Sequence, residues 1–445
     1  MTTANDSGRR GFLAGMSTAV AWGTVAAGAQ AQTAAAPVAG ATEGRPALPP
    51  LSPQAPAADA GYWAAVKALY RVNNDLVNLE NGYWGVMTES VNATYLAKSA
   101  MINRDNSIYA RTQFGKDADV GRRQLAAALG VQPEEIAFTR GATEALQLLI
   151  GGFNKLKPGD TVLHCDLDYD SMQYAMNWLQ DRRGVKSVKF NIPEPATKAA
   201  VLEAYDQALR ANPGTRLLLL THVSHRTGLA MPVAEIAAMA KARGAEVILD
   251  AAHSWGQMDF KATDFGVDFI GFNLHKWIGA PLGVGCMYIA KHRLNDIDRA
   301  YGDEDWPASD IRSRVHTGTY NFAAYLTLPA ALSVHQAIGP RAKALRLRYL
   351  RDRWVSRVRD LAGIEVLTPD EPGMSAGITS FRLAGKTSAA DNNAVVARLK
   401  DQYGIFTVRR GGVAKGQCIR VSPALYNDER DMDRLAAALR EMVRG

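Results

Sequence analysis

Apolar residues along the chain fall into two alternating patterns. Short, almost continuously apolar runs predict strands buried on both faces, and longer segments with apolar residues every three or four positions predict helices. One such helix begins at Pro232 and closes at Gly244, the usual asymmetry of helix ends. This alternation predicts an α/β fold in which helices sandwich a mostly parallel sheet. The strand-like runs lie at 136–138, 161–165, 217–221, 247–250, 269–272 and 284–289.

The pattern changes after Pro340. A long basic amphipathic helix comes first, followed by short strand-like runs and a last helix with an apolar face. We interpret this part of the chain as a smaller C-terminal α+β domain. The predicted organisation is an N-terminal segment at 58–85, a large domain at 86–338 and the small domain at 339–445.

The first thirty residues carry an export-like pattern. Ser7-Gly8-Arg9-Arg10-Gly11-Phe12-Leu13 resembles the twin-arginine motif, and a mild apolar stretch with small residues follows it. We predict a twin-arginine signal peptide at 1–31 and an Ala/Pro-rich linker at 32–57. The stretch is shorter than the about 20 apolar residues of a membrane-spanning helix, so we expect no stable membrane anchor. The expected location is the periplasm, reached through the twin-arginine export machinery.

Composition argues against several classes of protein. The net charge is +7, but the basic residues are scattered, so we expect no nucleic-acid partner. Cys165, Cys286 and Cys418 all lie in strand-like runs and are predicted to be buried free thiols. Neither a nucleotide-binding glycine or Walker loop nor a Gly-x-Ser-x-Gly elbow is present, which argues against a dinucleotide enzyme or a serine hydrolase. We predict no metal site.

Small and polar residues follow several strand-like runs, where open parallel sheets bind ligands. Ala142 and Thr143 open a helix, whose first N–H groups can cradle a phosphate, although an ordinary helix start looks the same. Asp250 closes a buried strand, where it could cap a turn or pair with a pyridine nitrogen. Lys276 follows another buried strand. Desolvation there would lower its pKa and allow Schiff-base chemistry.

These motifs together resemble a known family. The order Gly-Ala-Thr, Asp-x-x-His and His-Lys-x-x-Gly-x-Pro-x-Gly, within residues 75–440, resembles the class V aminotransferases, which are fold-type I enzymes that use pyridoxal 5′-phosphate (PLP). Segments 222–228 and 273–285 are most similar to the isopenicillin N epimerase-like branch. The resemblance implies a fold-type I PLP-dependent transferase architecture, PLP as cofactor and a homodimer.

The resemblance also implies roles for residues around the cofactor. Lys276 would hold PLP as a Schiff base and act as the general base, Asp250 would pair with the pyridine nitrogen, and His253 would lie near the ring hydroxyl. Tyr169 is the candidate for stacking on the ring, with an ordinary surface position as the alternative. The implied phosphate ligands are Ala142, Thr143, His275 and, across a dimer interface, Thr319.

On the substrate side, the resemblance implies that Arg420 binds a carboxylate and that Asn81 and Trp84 line the pocket. The expected substrate is an amino acid or a peptide-like molecule, which reacts at its amine-bearing carbon. Epimerisation, transamination and elimination all begin by removal of the Cα proton, and the sequence leaves the choice among them open.

One departure from the family narrows the function. The loop at 408–416 contains no cysteine, although cysteine desulfurases need a nucleophilic one there, so we do not expect desulfurase activity. A periplasmic enzyme that modifies pyoverdine-type siderophore precursors and a C–S lyase are alternatives to an epimerase. A non-catalytic binding protein is least favoured, because both Lys276 and Asp250 are present.

Overall fold

The computed structural model describes residues 54–444. The predicted signal peptide at 1–31 and most of the predicted linker therefore lie outside the described residues. The helices are α1 (Ala60–Lys67), α2 (Glu89–Thr112), α3 (Phe114–Leu129), α4 (Ala142–Gly152), α5 (Asp170–Arg183), α6 (Lys198–Ala211), α7 (Val233–Ala242), α8 (Phe322–Ile338), α9 (Pro340–Val355), α10 (Ala389–Tyr403) and α11 (Glu429–Arg444). The strands are β1 (Val77–Asn78), β2 (Ile136–Thr139), β3 (Thr161–Cys165), β4 (Lys186–Phe190), β5 (Thr215–Thr221), β6 (Glu246–Asp250), β7 (Phe269–Asn273), β8 (Gly285–Ile289), β9 (Ile364–Val366), β10 (Thr379–Leu383), β11 (Ile405–Phe406), β12 (Val408–Arg410) and β13 (Cys418–Val421).

The central sheet has seven strands in the order β2-β8-β7-β6-β5-β3-β4. The pairs from β7 across to β4 are all parallel. Strand β8 runs antiparallel to both of its neighbours, β7 and β2. The predicted α/β architecture with a mostly parallel sheet is therefore confirmed.

The sheet is buried on both faces, which explains why its strands are continuously apolar. In β5, Leu217 and Leu219 pack into a core with α4 and α5. Leu218 and Leu220 point the other way, into a larger core with α7 and α8. All four side chains are fully buried, as the alternation of side chains along a strand requires.

A second, antiparallel sheet of order β12-β13-β10-β9 is built from the C-terminal part of the chain. Leu350 and Trp354 of α9 and Leu435 and Leu439 of α11 belong to its apolar core. The N-terminal segment is tied to this part, because β1 pairs in parallel with β11. The domain boundaries at 85/86 and 338/339 stay predictions.

The pattern of the sequence did not reveal α2. This helix has 24 residues, but only Val91 and Tyr109 of its side chains are buried, and its backbone breaks at Asn106, where φ is 50°. A helix with so few buried positions has no apolar periodicity to detect. Within residues 54–444, no helix is both long and apolar enough to cross a membrane.

Candidate active site

A cleft of about 690 Å³ opens at the carboxyl ends of the parallel strands, where ligands of such sheets bind. Asp250 is the last residue of β6, and Lys276 follows β7 by three residues. The start of α4 and the end of the small sheet also contribute to the walls. The cleft brings together eight predicted site residues, which are Ala142, Thr143, Tyr169, Asp250, His253, His275, Lys276 and Arg420.

The Lys276 amine lies 3.0 Å from Nε2 of His253. Burial is the main cause that lowers the pKa of Lys276 to about 7, and the positive charge of Arg420 lowers it further. The charge of Asp250 opposes this shift. An amine with such a pKa is substantially neutral at neutral pH, which is the form that attacks an aldehyde.

Asp250 and His253 form the floor beside the lysine, and both side chains are buried. Oδ1 of Asp250 accepts the N–H of Ala252 at 2.8 Å, and within residues 54–444 the other carboxylate oxygen has no hydrogen-bond partner. Burial raises the pKa of Asp250, while the nearby Lys276 charge favours its ionised form. Burial, followed by the Lys276 charge, holds the pKa of His253 well below its usual value, so His253 is neutral.

The start of α4 forms a potential anion-binding site, the phosphate seat. Gly141, the N-cap residue of this helix, has no side chain that could cap it, and the N–H groups of Thr143 and Glu144 have no acceptor among the described residues. The N–H of Ala142 already donates to Oδ1 of Asn273 at 2.7 Å, so Ala142 lines the cleft without a free N–H, and its role as a phosphate ligand stays a prediction. Asn273, which the sequence analysis left without a role, therefore shapes the seat. Exposed N–H groups at a helix start bind phosphate.

His275 lies next to this seat. A Cβ atom on Gly141 would be 3.4 Å from Cε1 of His275, and Nδ1 of His275 lies 3.1 Å from the carbonyl of Val284. Burial and the Lys276 charge lower the pKa of His275 to about 4, so the imidazole is neutral in the ligand-free chain. A bound dianion would favour the protonated ring.

Tyr169 stands in the cleft wall just before α5, and 39% of it is exposed. Its ring meets the ring of His225 edge to face, with centroids 5.1 Å apart. Asp168 fixes this turn, because its carboxylate accepts the Cys165 N–H and the Thr221 hydroxyl, both at 2.7 Å. The geometry brings Tyr169 to the site, and its stacking on a ring stays a prediction. His225 is a buried cleft residue to which the sequence analysis gave no role.

Arg420 lies in β13, where it is almost fully buried, and it forms an ion pair with the carboxylate of Glu80. Its Nη2 atom donates to both carboxylate oxygens of Glu80, at 2.6 and 2.8 Å, and Nη1 donates to the carbonyl of His225 at 2.9 Å. A second arginine, Arg410, also lines the cleft and donates to Glu80 at 3.1 Å. The sequence analysis missed both Glu80 and Arg410.

The N-terminal segment crosses the lysine loop, and here two predictions need correction. The Asn81 side chain is buried and occupied, since it donates to the carbonyl of Ser422 at 2.9 Å and accepts from Tyr426. Trp84 is 46% exposed and packs edge to face on Tyr83. Neither lines the 690 Å³ cleft, whereas Gly82 and Tyr83 do. Asn81 lines an adjoining cavity of about 40 Å³ that also reaches Lys276. The segment reaches the site, but through its other residues.

Thr319 is exposed in the loop before α8 and does not line the cleft of its own chain. Its predicted role in a neighbouring subunit stays a prediction. Near this loop, Asp303, Asp305 and His316 place possible metal-ligand atoms within 4.8 Å of one another. The sequence analysis predicted no metal site and did not find this trio, to which we assign no function.

The loop that carries the nucleophile in desulfurases is packed against the body of the protein. The Ala414 N–H donates to the carboxylate of Asp166 at 3.0 Å, and Arg382 donates to the carbonyl of Gly416 at 2.8 Å. The three cysteines are buried and free, as predicted. Burial raises the pKa of Cys418 to about 11, which keeps this thiol protonated and a poor nucleophile.

These groups fit PLP. The cofactor carries an aldehyde, a phosphate and a basic ring nitrogen. The cleft offers an amine of lowered pKa at Lys276. Among residues 54–444 it also offers N–H groups without an acceptor at the start of α4 and a buried carboxylate at Asp250 with one unpaired oxygen. Its volume of about 690 Å³ lies in the range of cofactor sites.

The fold and the site together define a fold-type I PLP enzyme. The solved structure of the cysteine desulfurase CsdA from Escherichia coli matches 86% of this chain and 98% of its own, with a TM-score of 0.73 and 20% identity. The cystine C–S lyase C-DES matches 82% of this chain and 97% of its own, with a TM-score of 0.70 and 23% identity. At these identities the likeness establishes the fold alone.

The chain belongs to the class V aminotransferase family, whose model matches residues 86–435. Its relatives include isopenicillin N epimerase from Streptomyces clavuligerus, 27% identical over 85% of this chain and 97% of the relative. The isopenicillin N epimerase of Amycolatopsis lactamdurans is 28% identical over 85% and 98%. A cysteine desulfurase of Yersinia pseudotuberculosis is 29% identical over 69% and 78%. The protein is thus a PLP-dependent enzyme of this family.

Proposed function

We propose that the enzyme acts on the amine-bearing carbon of an amino acid or peptide-like substrate, in the manner of isopenicillin N epimerase. The observation that carries the proposal is that Lys276, Asp250 and Arg420 line one cleft. This chemistry requires a base, a partner for the ring nitrogen and a group that binds the substrate carboxylate. Two isopenicillin N epimerases that align over nearly their whole length support the same reaction class.

Each of these residues has a task that follows from its surroundings. Bound PLP supplies the electron sink that makes the Cα proton acidic. Lys276 takes that proton, since a pKa of about 7 suits a general base at neutral pH. Epimerisation then requires that a proton return to the opposite face of Cα. Neutral His253 stays within hydrogen-bond reach of the amine. Asp250 keeps a carboxylate oxygen free for the ring nitrogen, and Arg420 orients the substrate.

The loop and the cysteines separate this function from that of the desulfurase relatives. A desulfurase transfers sulfur to a reactive thiol, whereas loop 408–416 has no cysteine and Cys418 is buried with a raised pKa. A periplasmic PLP enzyme of pyoverdine-type siderophore tailoring is an alternative supported by the export-like N-terminus. A C–S lyase is a further alternative, and a non-catalytic binding role is the least favoured.

We also propose that the enzyme is exported by the twin-arginine route and acts in the periplasm as a homodimer. The paired Arg9 and Arg10 support export, and the exposed position of Thr319 leaves it available to a second subunit. Replacement of both arginines by lysine should retain the protein in the cytoplasm in cell fractionation. A monomeric mass for the holoenzyme in solution would contradict the dimer.

The experiment that tests the reaction follows the Cα proton in D₂O. Purified holoenzyme is incubated with single amino acids and with peptides that carry a free amino-acid end. Epimerisation predicts deuterium at Cα in both stereoisomers with no loss of substrate. A keto product would indicate transamination, and loss of a side-chain group would indicate a lyase. If no substrate exchanges its Cα proton, the proposed chemistry is wrong.

A further inference from the structure

Arg409 and Arg410 are neighbours in β12 but face opposite sides of the small sheet. Arg410 pairs with Cys418 in β13, and Arg409 pairs with Ile419. Because side chains alternate along a strand, Arg410 lies on the same face as Arg420, and Arg409 lies on the other. Arg410 lines the cleft, whereas Arg409 donates to Asn393 at 3.0 Å and to Gln417.

Glu80 holds the two cleft arginines together. Its Oε1 atom accepts from Nη2 of Arg420 at 2.6 Å and from Nη2 of Arg410 at 3.1 Å. The backbone of Glu80 is fixed in turn by a bridge to Ser422, just beyond β13. Two guanidinium groups repel each other, so one carboxylate between them keeps them close and leaves one net positive charge.

The hydrogen bonds of the two arginines are unequal. Arg420 uses Nη1 on the carbonyl of His225 and Nη2 on Glu80. Within residues 54–444 the Nε atoms of both arginines are buried without an acceptor, but the side chain of Arg410 donates to Glu80 alone, so that its Nη1 atom makes no hydrogen bond. Burial, followed by the charge of Arg420, lowers the pKa of Arg410 to about 10. A cationic side chain with unused hydrogen-bond donors beside a cleft can bind an anion.

We propose that Arg410 is a second carboxylate-binding arginine of the active site and shares the carboxylate of the substrate with Arg420. Glu80 is the positioning residue that holds the pair. The inference rests on the proposed function and deepens it, because it restricts the substrate class to amines that carry a free carboxylate. An amide of the same amine lacks the negative charge that both arginines need.

The test measures binding of three probes to the holoenzyme. Propionate carries only the carboxylate and is titrated by calorimetry, whereas L-alanine and L-alaninamide are followed by the change in the visible spectrum of the cofactor. In Arg410→Gln we expect about 10-fold or greater weakening for propionate and L-alanine, the scale of a charged hydrogen bond, and an unchanged response to L-alaninamide. Arg410→Lys should fall between this variant and the wild type.

Arg409→Gln is the matched control, since it removes the neighbouring charge from the opposite face and should bind all three probes as the wild type does. Propionate that fails to bind the wild type, or binds Arg410→Gln equally well, would overturn the inference. Propionate that binds as expected while no amine changes the spectrum would retain the inference and contradict the proposed function. If the melting temperatures of Arg410→Gln and Arg410→Lys equal that of the wild type, a folding defect is excluded as the cause of weaker binding.

Discussion

The amine of Lys276 and Nε2 of His253 lie 3.0 Å apart at the floor of the cleft, so the two groups compete for protons. Burial and the Lys276 charge hold the pKa of His253 well below its usual value, while the pKa of Lys276 is lowered only to about 7. When the two groups share one proton, that proton therefore resides on Lys276, and His253 accepts a hydrogen bond from the amine. A single titration near neutral pH then governs the reactivity of the site.

The rate at which the apoenzyme captures PLP should follow this titration. The neutral amine is the reactive form, so we expect the rate to rise about 10-fold from pH 6 to a plateau above pH 8, as a pKa of about 7 requires. In Asp250→Asn the midpoint should move to lower pH, because the charge of Asp250 opposes the lowering of the Lys276 pKa. Stopped-flow absorbance measures both profiles. A midpoint above pH 9 in the wild type would contradict the assignment.

Lys276→Ala should abolish covalent capture of the cofactor. We expect the visible band of lysine-bound PLP to disappear and turnover to fall by about 10²–10⁴-fold or more, the contribution of a positioned acid–base group. Lys343 offers an internal comparison, since burial lowers its pKa to about 7 as well. It does not line the 690 Å³ cleft but an adjoining cavity of about 40 Å³ that Lys276 also lines, and it donates to the carbonyl of Trp277. Peptide mapping after borohydride reduction should find the label on Lys276, and label on Lys343 would refute the assignment.

The strands and the residues at their ends could be predicted from the sequence, because a two-sided parallel sheet leaves a continuous apolar run. Asp250 ends one such run and Lys276 comes three residues after the strand formed by another, so the topology brings the two side chains to the same edge of the sheet. The partners of Arg420 could not be predicted. Glu80 is 340 residues away in sequence, and the facing of Arg409 and Arg410 depends on a β12–β13 register that a three-residue strand does not encode.

The N-terminal segment shows a second limit of sequence reasoning. The motif around Asn81 and Trp84 indicated a segment over the site, and the segment is there. Close packing of the backbone decides which side chains of this segment face the cleft. Such packing leaves no apolar pattern in the sequence. Asn81 is turned away by its hydrogen bonds to Ser422 and Tyr426, so glycine and tyrosine line the cleft in its place.

Asn273 should contribute to both stability and cofactor binding, and two substitutions separate these effects. Asn273→Ala leaves the buried N–H of Ala142 without its acceptor, which should cost about 1–3 kcal/mol of unfolding free energy. Asn273→Asp retains an acceptor but places a negative charge beside the phosphate seat. We therefore expect near wild-type stability of the apoenzyme with weakened PLP affinity. Denaturant unfolding and PLP titration measure the two quantities. Equal PLP affinity in Asn273→Asp and the wild type would place the phosphate elsewhere.

Gly85 should be the residue that lets the N-terminal segment close on the lysine loop. Its N–H donates to the carbonyl of His275 at 2.8 Å, and a Cβ atom would lie 1.8 Å from the carbonyl oxygen of Lys276. Because backbone on both sides resists movement, Gly85→Ala should displace the segment, and proteolysis near residue 85 and release of PLP should both become faster. Gly115→Ala is the control. That helical glycine in α3 has no atom of residues 54–444 within 4 Å of the added methyl group, so the change should leave the site intact and stabilise the helix by up to about 1 kcal/mol. If Gly85→Ala retains PLP and resists protease as Gly115→Ala does, the contact with Lys276 does not hold the segment in place.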